Sequence, residues 1–187
     1  NQPLGKTAGL WCEIVESVEC LKGNGPDDVM CVVYHLGEEA LQLAGVQNPK
    51  EQLKAAISDG SAFNKFREMV EAHGGSLESL DDPNTHEPEY CEKIYAETDG
   101  YIASMDTLNL GMAVVYLGGG RLQKGDKLDP SVGIVFHKKR GDKVSKGEPL
   151  LEYYCSGKDK FETGKLYFND VVEIQSQPPE LRQLIYT

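Results

Sequence analysis

The sequence predicts an α+β protein, in which a helical first half precedes a β-rich second half built on a small, twisted, barrel-like sandwich. Three observations support this. Apolar residues recur at helical spacing through the first eighty residues. After residue 90 the period changes to short apolar runs bounded by glycine, proline and aspartate, the pattern of strands. The charge steps at the same place. Residues 1–99 hold 7 Lys/Arg against 19 Asp/Glu, and residues 100–187 hold 12 against 11. The expected division is a helical segment over 1–80, a linker over 81–91, and a carboxy-terminal α+β domain over 92–187.

Each element has its own signal. Trp11, Ile14, Val15, Val18 and Leu21 make the apolar face of a helix over 8–22, stopped by Lys22-Gly23. After the loop Asn24-Gly25-Pro26, Asp27 or Asp28 caps a second helix, whose broad apolar face is Val29, Val32, Val33, Leu36, Leu41 and Leu43 and which Gly45 ends. Asn48-Pro49 opens a third, in the order cap then proline, running to Ser58. Asp59-Gly60-Ser61 breaks the chain before a fourth helix that reaches His73-Gly74-Gly75. Short connections imply a compact helical layer. The polar stretch from Asp81 to Glu89 reads as the linker. Strands are expected at 93–96, 101–105, 132–137, 150–155 and 171–174. Helices are expected over 107–116, capped by Asp106, and over 158–168.

Composition narrows the classes. The chain has 187 residues, 40% of them apolar, and a formal charge of −11. That is enough apolar content for a packed core. No apolar run approaches the roughly 18–20 residues of a membrane helix, and no basic-then-apolar leader opens the chain. An acidic first half repels phosphate backbones, which excludes nucleic acid as the expected partner. The five cysteines are irregularly spaced with no C-x-x-C pair. They read as buried or free thiols in a reducing cytosol, with a disulfide or metal role as the alternative. The chain opens Asn1-Gln2-Pro3-Leu4-Gly5 without Met, which reads as the start of a cleaved or dissected piece.

The stretch Gly141-Asp142-Lys143-Val144-Ser145-Lys146-Gly147-Glu148-Pro149-Leu150 places a turn, a core-facing valine and a second turn in succession. It resembles the hairpins of biotinyl and lipoyl carrier domains. Carriers need a modifiable lysine at a hairpin tip, usually beside Met. Lys124, Lys127 and Lys146 lack such neighbours. The scaffold is carrier-like, and the carrier site is replaced.

Four ordered stretches carry a second resemblance. They are Gln2-Pro3-Leu4-Gly5 with Gly9, Glu13, Glu16 and Leu21 to Pro26; Leu41-Gln42-Leu43-Ala44-Gly45; Gly60-Ser61-Ala62 with Phe66 to Val70; and Asp99-Gly100-Tyr101, Leu117-Gly118-Gly119-Gly120-Arg121, Asp129-Pro130-Ser131-Val132-Gly133 and Gly141 to Val144. Together they resemble the carboxy-terminal part of the pyrimidine-nucleoside phosphorylases, the thymidine phosphorylase family. The resemblance implies that residues 1–80 supply the last helices of the family's α/β domain. It also implies a homodimeric cytoplasmic enzyme that uses inorganic phosphate to cleave a pyrimidine nucleoside, without an organic cofactor. The family's phosphate loop, K-H-S-x-G-G-x-x-D, has no counterpart in this sequence, nor do its base-binding residues. No catalytic or substrate-binding residue is therefore expected here, and the upstream part of the same enzyme becomes the implied partner. After Gly9 the family has Asn or His and then a small residue, whereas Leu10 and Trp11 stand here.

The transferable site is for a monovalent cation, potassium in kind. The resemblance assigns it the main-chain carbonyls of Leu4 and Thr7 and the carboxylate of Glu16. A solvated helix carboxylate is the plain alternative for Glu16. Gly118-Gly119-Gly120 looks like a phosphate cradle but follows a helix, so it reads as a helix stop. Lys138-Lys139-Arg140, beside His137, is the one concentrated positive patch. It reads as a solvated hairpin approach, or else as a contact to phosphate or to the acidic first half. His35, His73 and His86 have no partner at metal-site spacing, and Glu38-Glu39 and Asp81-Asp82 are adjacent and do not converge. A non-catalytic interaction module on the carrier-like scaffold is the competing reading.

Overall fold

The computed structural model describes residues 2–180 and 183–186. Helical periodicity in the first half becomes five helices: α1 (Trp11–Leu21), α2 (Asp27–Leu43), α3 (Pro49–Ser58), α4 (Ser61–Ala72) and the short α5 (Leu77–Asp81). The end of α2 shows why the glycine stop works. Gly45 takes φ 76°, its N–H donates to Gln42, and the Val46 N–H donates to Leu41. This Schellman pair satisfies carbonyls that the helix itself leaves open, and its left-handed residue suits glycine. The same bond pattern closes α1 at Gly23 and α4 at Gly74.

The starts differ from expectation. Pro26 occupies the cap of α2 without a side-chain bond, and the Asp28 carboxylate accepts from the Val29 N–H at 2.9 Å. Asp27 and Asp28 instead lie in the first turn, where negative charge suits the helix dipole. Asn48 does stand at the cap before Pro49, as expected, but in a left-handed conformation (φ 51°) and with no side-chain cap bond.

The first helix also starts later than its apolar spacing suggests. Residues Thr7–Gly9 form a strand, β1, antiparallel to β4 (Gly133–Phe136), with Thr7 opposite Val135 and Gly9 opposite Gly133. A strand made by a partner more than 120 residues away leaves no local period to read. Residues 2–13 consequently pack with residues 86–180 as one compact unit, and residues 14–85 with 183–186 form another.

The β-rich unit contains β2 (Tyr90–Tyr95), β3 (Gly100–Met105), β4, β5 (Lys143–Val144), β6 (Pro149–Cys155) and β7 (Val172–Gln175), with α6 (Thr107–Val114) and α7 (Lys158–Lys165). Two open sheets form, in the orders β1-β4-β6-β2 and β5-β3-β7, with every pair antiparallel. The expected turn, buried valine and second turn are present: Gly141 (φ 96°) and Gly147 (φ 83°) sit in the two turns, and Val144 is 1% exposed. The flanking strands do not pair as a hairpin, because β5 bonds to β3 in one sheet and β6 to β2 and β4 in the other. Asp106 caps α6 by accepting from the Asn109 N–H at 3.0 Å. A π-type turn over Val115–Gly119 ends that helix at Gly118 (φ 110°). Ile102, Leu117, Ile134 and Leu151 are fully buried in one continuous core, and Tyr153 stacks on Phe168 with ring centroids 3.9 Å apart. No helix among the described residues is long and apolar enough to cross a membrane.

Candidate functional site

The segment carrying Leu4 and Thr7 is fastened residue by residue. The Phe136 N–H donates to the Lys6 carbonyl at 2.7 Å, and the Leu10 N–H donates to Val132 at 3.1 Å. In an antiparallel ladder these bonds alternate. Lys6 and Leu10 face β4, so Thr7 and Gly9 between them turn their backbone groups away from it. Gly9 confirms this, since its N–H donates to the Glu13 carboxylate at 2.7 Å. β1 is the edge strand of its sheet. The Thr7 carbonyl therefore points outward from the sheet edge, as an oxygen lent to a cation must. The Thr7 hydroxyl is buried with no hydrogen-bond partner among the described residues. Leu4 lies in the bend before β1 with its side chain exposed. Glu16 is half-buried on α1, in the helical unit. No cluster of three His, Cys, Asp or Glu side chains suited to a metal occurs among the described residues.

The basic patch bonds inward. The Lys139 ammonium donates to the Gly5 carbonyl at 2.7 Å. The Arg140 N–H donates to the Gln2 side chain at 2.8 Å, its Nε to Ala103 at 2.9 Å and its Nη1 to Glu180 at 2.6 Å. Lys138 pairs with Glu148 at 2.6 Å. These cations are half-buried carbonyl and carboxylate binders within one unit, so neither a solvated approach nor an anion patch describes them.

The glycine and aspartate motifs are likewise structural. The Asp129 carboxylate accepts from the Ser131 N–H (3.0 Å), the Ser131 hydroxyl (2.6 Å) and the Ser156 N–H (2.8 Å), tying the loop before β4 to the end of β6. The Asp99 carboxylate accepts from the Lys146 N–H at 2.8 Å, joining the turn before β3 to the turn between β5 and β6. A Cβ on Gly133 would lie 2.7 Å from the Tyr154 ring, so only glycine lets that ring cover the strand. The Gly118 carbonyl accepts from the Asp129 N–H at 2.9 Å, which makes the triple glycine a helix stop, as its position after α6 implies.

Sequence reasoning missed one cluster. On the four-stranded sheet, the Cys91 thiol donates to the Glu152 carboxylate at 2.8 Å. Lys93 lies 3.3 Å and His137 3.6 Å from the other oxygen of the same carboxylate. Partial burial, then the Glu152 carboxylate, push the thiol up to about 11. Burial pushes Glu152 up as well, but the bonds from Cys91 and Lys93 outweigh it and hold the carboxyl below the usual range. Such a thiol stays protonated at neutral pH and is a poor nucleophile. Burial also raises the thiols of Cys12, Cys20 and Cys155. The signal that could have found the cluster is cross-strand register, because Lys93 stands directly opposite Glu152.

Comparison with known proteins places these features. Residues 101–175 match the family model described as the pyrimidine nucleoside phosphorylase C-terminal domain. A pyrimidine-nucleoside phosphorylase of Geobacillus stearothermophilus is 33% identical over 191 residues, covering 100% of this chain and 44% of that protein. The same-named protein of Staphylococcus aureus (strain USA300) is 37% identical over 164 residues, covering 85% of this chain and 38% of its own length. The chain thus spans less than half the length of these relatives. The matched region contains the Asp129 loop, the Gly141–Gly147 turn–strand–turn and the capped helix α6. The chain is a relative of the pyrimidine-nucleoside phosphorylases, and its β-rich unit carries their C-terminal domain.

Proposed function

We propose that this chain is the carboxy-terminal portion of a pyrimidine-nucleoside (thymidine) phosphorylase. The intact form would cleave pyrimidine nucleosides with inorganic phosphate to free base and (deoxy)ribose 1-phosphate. The observation that carries the reading is the 33% identity along the whole chain to a protein of that name. In such a reaction phosphate attacks the sugar carbon as the base leaves with its electron pair, so the enzyme must hold an anion and stabilise charge developing on the base. Domain closure brings the two substrates together and excludes water. This chain supplies scaffold and a wall near the cleft. It also supplies ligands for a monovalent cation: the Leu4 and Thr7 carbonyls and the Glu16 carboxylate. The outward Thr7 carbonyl fits that role. Potassium would supply a fixed positive charge there and takes no part in proton or electron transfer. The phosphate and base sites lie in the rest of the enzyme, a cytoplasmic homodimer that needs no organic cofactor.

The test is complementation. The pure 187-residue chain is assayed for phosphate-dependent release of thymine from thymidine and uracil from uridine. The assay is repeated with the unmatched amino-terminal part of the Geobacillus stearothermophilus relative added. No release by the chain alone and release by the mixture are expected. Release by the chain alone would overturn the assignment of both sites elsewhere. An inactive mixture containing a folded, bound chain would overturn the phosphorylase reading in favour of a non-catalytic interaction module.

A further inference from the structure

The Lys139 ammonium and the Arg140 backbone N–H both bond to the segment that leads into β1, and the turn that carries them is rigid. The Lys139 N–H donates to the Asp142 carboxylate at 2.8 Å, and the Asp142 N–H donates back to the Lys139 carbonyl at 3.0 Å. The same turn is bonded to β3. The Ile102 N–H donates to Asp142 at 3.0 Å, and the Gly141 N–H donates to Ile102 at 2.9 Å. From this base the ammonium reaches the Gly5 carbonyl, which lies between Leu4 and Thr7. Gly5 is itself buried and left-handed (φ 76°), so the chain turns at the point where the ammonium holds it. The neighbouring Lys6 carbonyl is fixed by Phe136, and Gln2 by Arg140.

We infer that Lys139 is a positioning residue for the cation-binding segment. Its tethered ammonium holds the bend at Gly5 so that β1 keeps its register on β4 and the Thr7 carbonyl is presented outward. The role rests on the cation reading under Proposed function. The physical basis is the strength of a charge-assisted bond to a buried carbonyl, which a neutral side chain of equal length cannot replace. An edge strand of three residues is short, so a shift of the bend that precedes it is carried directly into its register. The same charge, 2.7 Å from Gly5, also keeps a free cation off that carbonyl. The guanidinium of Lys139→Arg keeps the charge and a donor, whereas Lys139→Met keeps only the stem.

The experiment compares the 187-residue chain with its Lys139→Met and Lys139→Arg variants. Amide hydrogen exchange is followed at β1, with β4 and β6 as internal controls for folding. Thallium(I), a spectroscopic stand-in for potassium, is titrated by thallium NMR. In Lys139→Met, exchange at β1 is expected to quicken at least tenfold while β6 is unchanged, and thallium affinity is expected to fall at least fivefold. Lys139→Arg should restore both. Added methylammonium should restore them in Lys139→Met, and tetramethylammonium, which has no N–H, should not. Wild-type exchange and thallium affinity in Lys139→Met would overturn the role of Lys139 alone. Loosened β1 with unchanged thallium affinity would overturn the link between the bend and the cation. A wild-type chain that binds no thallium would overturn the cation reading, and this role with it.

Discussion

The two compact units share an alphabet of amphipathic elements and differ in what covers them. In the β-rich unit, seventeen buried residues form one cluster that includes Ile102, Leu117, Ile134 and Tyr153. In the helical unit, α2, α3 and α4 bury no residue at all. Leu36 on α2 is 61% exposed and Leu43 90%, although both belong to the apolar face that periodicity predicts. Burial of such a side chain is worth about 1.5–3 kcal/mol, so the two units have very different reserves of stability. Periodicity reports which face of an element calls for cover. It does not report whether the cover is present.

The largest effect expected from this difference is in core substitutions. Val144→Asp places a carboxylate with no partner in the β-rich core and should cost several kcal/mol, about 3–5. Leu43→Asp, on an open helix face, should change stability by less than about 0.5 kcal/mol. Urea unfolding followed by near-ultraviolet circular dichroism measures both. Equal costs would erase the comparison.

Close packing gives the next contrast. Gly133→Ala drives a Cβ to 2.7 Å from the Tyr154 ring and should cost about 1–3 kcal/mol. Gly45→Ala meets no atom within 4 Å and carries only the strain of φ 76°, about 1 kcal/mol. Thermal melts of the two variants rank them, and a larger loss at Gly45 would reverse the assignment of tight and loose regions.

The smallest effect is a titration. In the fold the Cys91 thiol is raised to about 11 from an ordinary value near 9. Its raised value contributes stability that is fully present below about pH 9 and is lost as pH rises through 11, because the unfolded chain releases that proton first. Alkylation of Cys91 by iodoacetamide should therefore be slow at pH 8 and accelerate only towards pH 11. Glu152→Gln should shift that rise to lower pH. An unchanged profile in Glu152→Gln would leave partial burial as the sole cause.

Much of this architecture is legible in the chain itself, because its determinants are local. Gly45 ends a helix through bonds that span six residues, Asp106 caps one three residues ahead, and Gly141, Val144 and Gly147 write a turn, a core-facing strand and a second turn within ten. The resemblance that runs from Gln2 to Val144 is likewise a matter of ordered residues. Tertiary structure alone decided the features that bear on the proposed site. β1 exists because Thr7–Gly9 meet a strand more than 120 residues away. Lys139 and Arg140 look like an exposed patch until Gly5, Gln2 and Ala103 arrive beside them. Glu152 collects Cys91 and Lys93 from β2 and His137 from the end of β4, two separate stretches. Neighbours in the chain determine turns, caps and periods, since those bonds close over a few residues. Which carbonyl faces a ladder, and which cation reaches it, depends on strand register, and register is set only when distant segments pack.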